Sequence, residues 1–302
     1  MIRVSIVIAT YNRGEKLLRT LGSLAAQTLP AAEWEAVVVN NNSSDNTGEV
    51  FERFASQHPE LRLRMVGESR QGLSWARNKG IEEARGAVIA LIDDDVEINP
   101  EFAEVYAAFF DRHPAVSAAG GKVIPLYETA RPEWMSPFAE RPIAGTLDRG
   151  EVEKPLGRGY PTGANMAMRA EIFKKYGAFN TELGRTGANP LGGEEKDFFA
   201  RITSAGEVVW WVPRAVIFHI IPPEKLTADY FRRVSRGCGA SERVRTRSLS
   251  RGQYLVAVGK EMLKWVATLA IALWYCILLQ PQKAHYLIEM RRFITAGLLS
   301  RH

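Results

Sequence analysis

Short apolar runs alternate with amphipathic stretches along the first third of the chain. The runs are rich in β-branched residues, and the intervening stretches space leucines as a helix does, for example Leu17, Leu21 and Leu24. The pattern predicts strands at 4–9, 35–39, 61–66 and 88–92, and helices at 15–27, 49–57 and 73–85. Alternation of strand and helix is typical of an open, mostly parallel α/β sheet.

The pattern changes after this alternation. Residues 125–160 contain five prolines and several aromatic residues, which favours a long loop that serves as a lid or binds an acceptor. Further elements are predicted as a turn into a strand at 161–168, a helix at 171–176, a helix that opens in the segment 192–197 and runs to about 204, and strands at 208–212 and 215–219.

Polar residues follow three of the predicted strands. Thr10, Tyr11 and Arg13 follow the first, an Asn/Ser/Asp loop at 40–47 follows the second, and three aspartates at 93–95 follow the fourth. In open α/β sheets, ligands bind outside the carboxyl ends of the strands, so we expect one ligand site at this edge. The chain has no Gly-x-Gly-x-x-Gly and no Walker loop, which disfavours dinucleotide binding and ATP hydrolysis.

The aspartates Asp93, Asp94 and Asp95 come directly after an uncharged strand. Like charges this close repel one another, so a positive group is expected beside them. A divalent cation is the simplest candidate, and oxygen ligands favour Mg²⁺ or Mn²⁺ over zinc. The alternatives are a solvated acidic turn and a helix N-cap.

Five segments together resemble the family 2 glycosyltransferases, which have the GT-A fold. They are SIVIATYNR at 5–13, NSSDNT at 42–47, ARNKGI at 76–81, LIDDD at 91–95 and GGEEKDF at 192–198. The resemblance implies an inverting transfer of a sugar from a nucleotide sugar, usually a UDP- or GDP-sugar, with UDP favoured here.

The resemblance also implies roles on the donor side. The nucleotide would contact Thr10, Tyr11, Arg13, Asn41, Asp45, Arg77 and Asp93. Asn41 stands where the family often has an aspartate that contacts uracil, which leaves the base open. For Asp45 an Asx-turn is the alternative, and for Arg77 an exposed helix arginine.

Metal, base and acceptor positions follow from the same resemblance. Asp93 and Asp95 form the D-x-D pair, with Asp95 as metal ligand. His219 would complete the metal site; the alternative is that His219 is a structural histidine.

An inverting transfer needs a carboxylate to accept the proton of the acceptor hydroxyl. The family's base position falls on Glu195, with Glu194 as the second choice. These acids also suit the first turn of a helix without any catalytic role. Gly163, Asn165 and Asp197 would contact the donor sugar or the acceptor.

The C-terminal region is basic and then apolar. Seven arginines and one acid lie between residues 232 and 251, and residues 265–279 carry no charge, within a chain whose net charge is +5. As a helix, 265–279 would span about 22 Å, short of the roughly 30 Å of a hydrocarbon core. The pattern favours shallow insertion or docking at an anionic membrane face, with a core helix as the alternative. No motif supports nucleic-acid binding.

These observations predict an α/β GT-A protein with a helical C-terminal extension. We expect a nucleotide-sugar-binding half at 1–124, an acceptor-binding half at 125–220 and a helical region at 221–302. Two distant cysteines and no leader pattern favour a cytoplasmic protein attached to the inner membrane face, with a glycan or lipid-linked acceptor. The alternatives are a nucleotidyltransferase and a non-catalytic, membrane-associated nucleotide-binding module.

Overall fold

The computed structural model describes residues 1–187 and 191–300, which divide into two compact units. The first comprises Met1–Leu126, Thr146–Thr181 and Glu194–Ile220. The second comprises the described residues of 127–145, 182–193 and 221–302, so it takes two segments from the predicted acceptor half.

The described residues form a nine-stranded mixed sheet in the order β3-β2-β1-β4-β8-β6-β9-β5, with β7 beside β9. Strands β3, β2, β1 and β4 are parallel, and β8 pairs antiparallel with β4. The strands are β1 Val4–Thr10, β2 Trp34–Asn40, β3 Leu63–Gly67, β4 Val88–Asp93, β5 Val96–Ile98, β6 Ala118–Tyr127, β7 Lys154–Pro155, β8 Asn165–Arg169 and β9 Val209–Ile221.

The register of the parallel strands brings the predicted site residues to one edge. Strands β1, β2 and β4 are almost wholly buried, as expected for β-branched, apolar strands covered on both faces. Thr10 lies beside Asn40 on β2, and Ala9 lies beside Asp93 on β4. The strand ends, and the polar loops that follow them, therefore meet, which confirms the predicted α/β fold.

Six helices belong to the first unit among the described residues. They are α1 Gly14–Ala25, α2 Thr47–Gln57, α3 Leu73–Glu83, α4 Phe102–Arg112, α6 Ala170–Tyr176 and α7 Glu194–Ser204. Helix α7 begins within the segment 192–197 that was predicted to open it, and it ends at Ser204 as predicted. Strand β5, helix α4 and strand β6 were not anticipated.

The predicted long loop at 125–160 is wrong. Strand β6 continues to Tyr127, and helix α5 spans Pro137–Ala144. The side chain of Ser136 caps this helix by accepting a hydrogen bond from the backbone N–H of Ala139, and Pro137 opens its first turn. Prolines at 137 and 142 suggested a loop, although proline is well suited to the first helical position.

The last two predicted strands form a single continuous strand. Residues 208–212 and 215–219 were separated at Pro213, but β9 runs through it from Val209 to Ile221. Pro213 lacks the N–H that a central ladder position needs, which is why the pattern indicated a break.

The second unit is helical. Its main helices are α8 Ala228–Leu249, α9 Arg251–Ile277 and α10 Pro281–Leu299, preceded by a short 3-10 helix at Pro223–Leu226. Phe231 and Leu287 lie in its core, where the rings of Trp134 and Tyr286 stack with centroids 4.3 Å apart.

The apolar segment at 265–279 is part of a longer helix. Helix α9 starts fourteen residues before it, at Arg251. Thr268 and Ala272 are buried, whereas Leu269, Leu273 and Trp274 are exposed, so only one side of the segment packs as a core helix would. Within residues 1–187 and 191–300, every helix is too short or too polar to cross a membrane.

Glycines allow close contact between α8 and α10. A Cβ atom at Gly239 would lie 1.9 Å from the carbonyl oxygen of Ile294, and one at Gly297 would lie 2.0 Å from that of Arg236. Both distances are far below van der Waals contact, and backbone cannot swing aside as a flexible side chain can.

We therefore expect Gly297→Ala to lower the free energy of unfolding by about 1–3 kcal/mol, because the added methyl group forces the two helices apart. The matched control is Gly259→Ala in α9, where nothing lies within 4 Å and the change should stabilise the helix by about 1 kcal/mol. Thermal unfolding followed by far-UV circular dichroism measures both. Equal shifts in the two variants would contradict the close contact.

Candidate active site

The loops after β1 and β2 are joined by one asparagine. Asn12 adopts a positive φ of 51°, and its Oδ1 accepts hydrogen bonds from the backbone N–H groups of Ser44 at 2.7 Å and Asp45 at 3.4 Å. Its own N–H donates to Ser43 Oγ at 3.0 Å. Asparagine tolerates this left-handed conformation better than most residues do. The two polar loops therefore form one rim of the sheet edge.

A cleft of about 440 Å³ lies at the carboxyl ends of β2 and β3. Residues at the ends of β2 and β3, and on the loops that follow these strands, line the cleft. They include Asn40, Ser43, Gly67, Glu68 and Ser69. Its position outside the ends of parallel strands is where α/β sheets bind ligands.

Asn41 braces the loop that borders this cleft. Its side-chain Nδ2 donates to the carbonyl oxygens of Glu68 at 3.0 Å and Arg70 at 2.8 Å. Its Oδ1 accepts from the N–H of Gly72 at 2.8 Å and from Gln71 Nε2 at 3.3 Å. Both N–H groups of the amide are thus used within the protein, and a contact with a nucleobase remains a prediction.

Asp45 holds the beginning of α2. Its Oδ1 accepts hydrogen bonds from the backbone N–H of Thr47 at 3.0 Å and from the Thr47 hydroxyl at 2.5 Å. Burial opposes ionisation, but the hydrogen bonds from Thr47 and Gly14 lower the pKa of Asp45 below its ordinary value. This geometry matches the Asx-turn alternative, and a role toward the nucleotide stays a prediction.

Arginine supplies positive charge beside the aspartates. Arg13 Nη1 lies 3.2 Å from Asp94 Oδ1 and 2.8 Å from Asp95 Oδ2, and both carboxylates are buried. Burial raises the pKa of Asp94 to about 6, although the charge of Arg13 opposes this. Asp94 is therefore part of the charged cluster, and a fully solvated acidic turn is excluded.

The other oxygen of Asp95 faces a histidine. His219 Nε2, at the end of β9, lies 3.4 Å from Asp95 Oδ1, because β5 pairs with β9 and places Val96 beside His219. A carboxylate oxygen and an imidazole nitrogen suit Mn²⁺, and Mg²⁺ is commonly bound by one or two protein carboxylates plus substrate phosphates. Among residues 1–187 and 191–300, no three His, Cys, Asp or Glu side chains are placed to hold a metal ion by themselves.

Arg77 connects the aspartates to helix α7. Its side chain is only 2% exposed, and its Nη2 donates to Asp93 Oδ1 at 2.9 Å and to the carbonyl oxygen of Gly163 at 3.0 Å. Its Nη1 donates to Glu194 Oε1 at 2.5 Å. The exposed-arginine alternative is therefore wrong, and the guanidinium fixes three segments at one point.

Glu194 and Glu195 have different surroundings. Oε1 of Glu194 is paired with Arg77, whereas Glu195 has no ion pair with that arginine. Oε2 of each glutamate is covered and accepts no hydrogen bond from the described residues. Burial, reinforced by the charge of Glu194, raises the pKa of Glu195 to about 8. Glu195 can therefore take up and release a proton near neutral pH, while Glu194 serves to balance Arg77.

The sequence profile described as Glycosyl transferase family 2 matches residues 5–177. The chain belongs to glycosyl transferase family 2. That range includes both polar loops, Arg77 and the three aspartates.

Two relatives of this glycosyltransferase come from Haloferax volcanii. The glucosyl-dolichyl phosphate glucuronosyltransferase is 28% identical over 248 residues, which cover 80% of this chain and 77% of that protein. Glycosyltransferase AglE is 24% identical, with 95% of this chain and 84% of AglE covered.

Solved structures share the fold. The mannosyltransferase PcManGT from Pyrobaculum calidifontis, in complex with GDP-Man and Mn²⁺, superimposes with a TM-score of 0.61 at 16% identity, covering 99% of this chain and 88% of that one. The 1-349 segment of S. aureus TarS, in complex with UDP-GlcNAc, gives 0.58 at 19% identity, covering 98% and 91%. The longer TarS chain is covered over 38% of its length.

Several predicted site residues of this family 2 member have structural partners instead. Asn165 is fully buried; its Oδ1 accepts from the Tyr106 hydroxyl and its Nδ2 donates to the carbonyl oxygens of Lys122 and Ala215. In this conformation it has no N–H left for a sugar. Asp197 lies 3.4 Å from Arg201, which in turn donates to carbonyl oxygens after α6.

The remaining predicted residues lie at the sheet edge. Thr10 is buried at the end of β1, and Tyr11 beside it is 38% exposed. The sequence reasoning missed Asp94 and Glu68. Burial opposes ionisation of Glu68, but its hydrogen bonds with Arg70 lower its pKa to about 2. The end of β3 offered a usable signal for Glu68, because it meets the same edge as the end of β2.

We expect Arg77→Ala to lower the free energy of unfolding by about 3–5 kcal/mol, because it leaves the buried Glu194 and the partly buried Asp93 without a counter-charge. Urea unfolding followed by circular dichroism measures the loss. Arg53→Ala, an exposed arginine on α2, is the matched control and should change stability by less than about 0.5 kcal/mol.

A second variant tests the cause of this loss. Adding Glu194→Gln to Arg77→Ala makes one buried carboxylate neutral and should recover part of the lost stability. Strictly additive losses would contradict the coupling between the two side chains.

Proposed function

We propose that this glycosyltransferase moves a sugar from a nucleotide sugar to an acceptor hydroxyl with inversion, using a divalent cation. The observation that carries the proposal is the chain of contacts Asp93–Arg77–Glu194, because it joins the aspartates of the donor side to the helix that bears Glu195. A donor held at the aspartates would present its anomeric carbon toward the start of α7.

The donor is a nucleoside diphosphate sugar in this proposal. The cleft at the ends of β2 and β3, lined by Asn40, Ser43 and Glu68 among others, would take the nucleoside. Tyr11 and Asn41 are the proposed contacts of the base. Two solved structures that share this fold contain GDP-Man and UDP-GlcNAc, so the fold accommodates either nucleobase, and UDP is favoured on the sequence. Asp93 would contact the ribose or the water shell of the cation.

The cation would be Mn²⁺ or Mg²⁺, held by Asp95 and His219. The two side chains offer oxygen and nitrogen donors 3.4 Å apart, and diphosphate oxygens and water would complete the coordination. When bound, the cation supplies positive charge to the departing diphosphate. Arg13, which pairs with Asp94 and Asp95, would lie beside the same phosphates.

Glu195 acts as the base. Its carboxylate accepts the proton of the acceptor hydroxyl as that oxygen forms a bond to the anomeric carbon, and the bond from this carbon to the diphosphate oxygen breaks on the opposite face. The products are the inverted glycoside and the nucleoside diphosphate. Glu194 is less suited to this role because its Oε1 already accepts a hydrogen bond from Arg77 Nη1.

The acceptor is a lipid-linked or other surface glycan, met at the inner face of the cell membrane. The name of one relative specifies a glucosyl-dolichyl phosphate, which supports a lipid-linked acceptor. Family membership disfavours a nucleotidyltransferase. A non-catalytic nucleotide-binding module is the other candidate, and the experiments below discriminate it from an enzyme.

Glu195→Gln should lower kcat by about 10²–10⁴-fold while donor binding stays unchanged, because glutamine has nearly the same shape but cannot accept a proton. Transfer from a panel of nucleotide sugars to lipid-linked acceptors gives kcat, and calorimetry gives donor affinity. Glu171→Gln changes an exposed acid in the first turn of α6 and is the matched control. Full activity in the Glu195 variant would assign the base elsewhere.

The pH profile provides a second readout of the same prediction. Because the pKa of Glu195 is raised to about 8, the carboxylate is protonated below that pH and cannot act as a base. We expect kcat/KM to rise with pH and level off above about 8, with roughly a 100-fold deficit at pH 6 from the protonated fraction. The residual activity of Glu195→Gln should lack this rise.

Mn²⁺ should strengthen binding of UDP or GDP, and His219→Ala should weaken the Mn²⁺-dependent part by at least about tenfold. Calorimetry with each nucleotide, with and without Mn²⁺, measures both effects and identifies the preferred nucleobase. His58→Ala, which removes a partly exposed histidine paired with Glu60, is the control. Failure of Mn²⁺ to strengthen binding of either nucleotide would contradict the metal-dependent proposal.

A further inference from the structure

The side of helix α9 that faces solvent is apolar. Six residues, each between 54% and 72% exposed, define what we term the apolar face. They are Leu255, Leu263, Val266, Leu269, Leu273 and Ile277. With about 100° of rotation per residue they fall within an arc of about 120°, and with a rise of 1.5 Å they extend over about 33 Å. No charged residue between 255 and 277 falls in that arc.

The buried side of α9 combines two alanines, Ala257 and Ala272, with polar side chains. Glu261 is 2% exposed and accepts hydrogen bonds from Arg291 Nη1 at 2.9 and 3.1 Å. Thr268 Oγ1 accepts from Arg291 Nε at 3.2 Å, and Trp265 Nε1 donates to Thr295 Oγ1 at 3.0 Å. A helix on a water-exposed surface shows the reverse arrangement. The apolar face is therefore suited to contact with a nonpolar phase.

Charge identifies the partner. Residues 228–299, which comprise α8 to α10, carry twelve lysines and arginines and four acids, a net charge of +8 in a chain whose total is +5. Lys260 and Lys264 are exposed on the flank of α9 between the apolar face and the buried side, and Arg251 precedes the apolar face. A second copy of the chain would bring the same positive charges together. An anionic lipid surface is complementary to them.

We propose that α9 lies in the plane of an anionic membrane, with its apolar face among the acyl chains and its lysines at the headgroups. This orientation agrees with the absence of a helix able to cross a membrane among the described residues. The biological role of this membrane contact rests on the proposed function, because the contact would hold the active site near a lipid-linked acceptor.

The test is binding of the full-length chain to vesicles without donor or acceptor, so its failure would leave the catalytic assignment untouched. We expect sedimentation with phosphatidylglycerol-containing vesicles, and at least about tenfold weaker partitioning for Leu263→Asp/Leu273→Asp. Leu18→Asp/Val208→Asp places two acids at exposed apolar positions of the first unit and is the matched control. Lys260→Glu/Lys264→Glu should weaken binding to anionic vesicles in a salt-dependent manner.

Trp274 gives a measurement on the otherwise unchanged protein. It is 58% exposed beside the apolar face, so brominated lipid should quench its fluorescence, and Trp274→Phe should remove most of the quenching. Equal binding of the Leu263/Leu273 variant and its control would overturn the proposal. A second outcome would also overturn it. If light scattering shows a dimer, and Leu263→Asp/Leu273→Asp converts this dimer to monomers without changing vesicle binding, the apolar face joins two copies of the chain.

Discussion

The candidate site depends on a positive charge buried at the centre of the first unit. A guanidinium without water is stable only when its donors and its charge are matched, and Arg77 finds this match in Asp93, Glu194 and the carbonyl oxygen of Gly163. These partners lie far apart in the sequence. The same interaction therefore sets the position of the β4 end, of the turn before β8 and of the first residue of α7.

That interaction also explains why two adjacent glutamates differ. Side chains of neighbouring helix residues point about 100° apart, so one guanidinium can satisfy only one of them. Glu194 takes the arginine, and its negative charge, together with burial, raises the pKa of Glu195. Burial is the main cause of the raised pKa of Glu195, the charge of Glu194 reinforces it, and the charge of Arg77 opposes it.

The sequence predicted the sheet edge well because periodicity, strand length and loop polarity are local properties. It predicted the partners of the polar side chains less well. The strand register and the crossover connections determine which side chains meet, and neither is a local property of the sequence. Asn41 has its four partners on the loop after β3, and Arg13 reaches Asp94 and Asp95 more than eighty residues away. Helix α5 was missed for a different reason: Pro137 fits a helix start as well as a loop, and Pro142 lies inside the helix, where proline is disfavoured.

The C-terminal unit shows a limit of composition-based reasoning. Averaged along its length, α9 contains lysines, a glutamate and many apolar residues, and so resembles neither a spanning helix nor a typical amphipathic one. The structure sorts these residues by face: Glu261 is paired with Arg291 on the inside, and the leucines lie outside. Satisfying a buried carboxylate requires this orientation, because turning the helix to cover the leucines would separate Glu261 from its arginine. The polar pair inside the unit thereby determines that the apolar side of α9 faces outward.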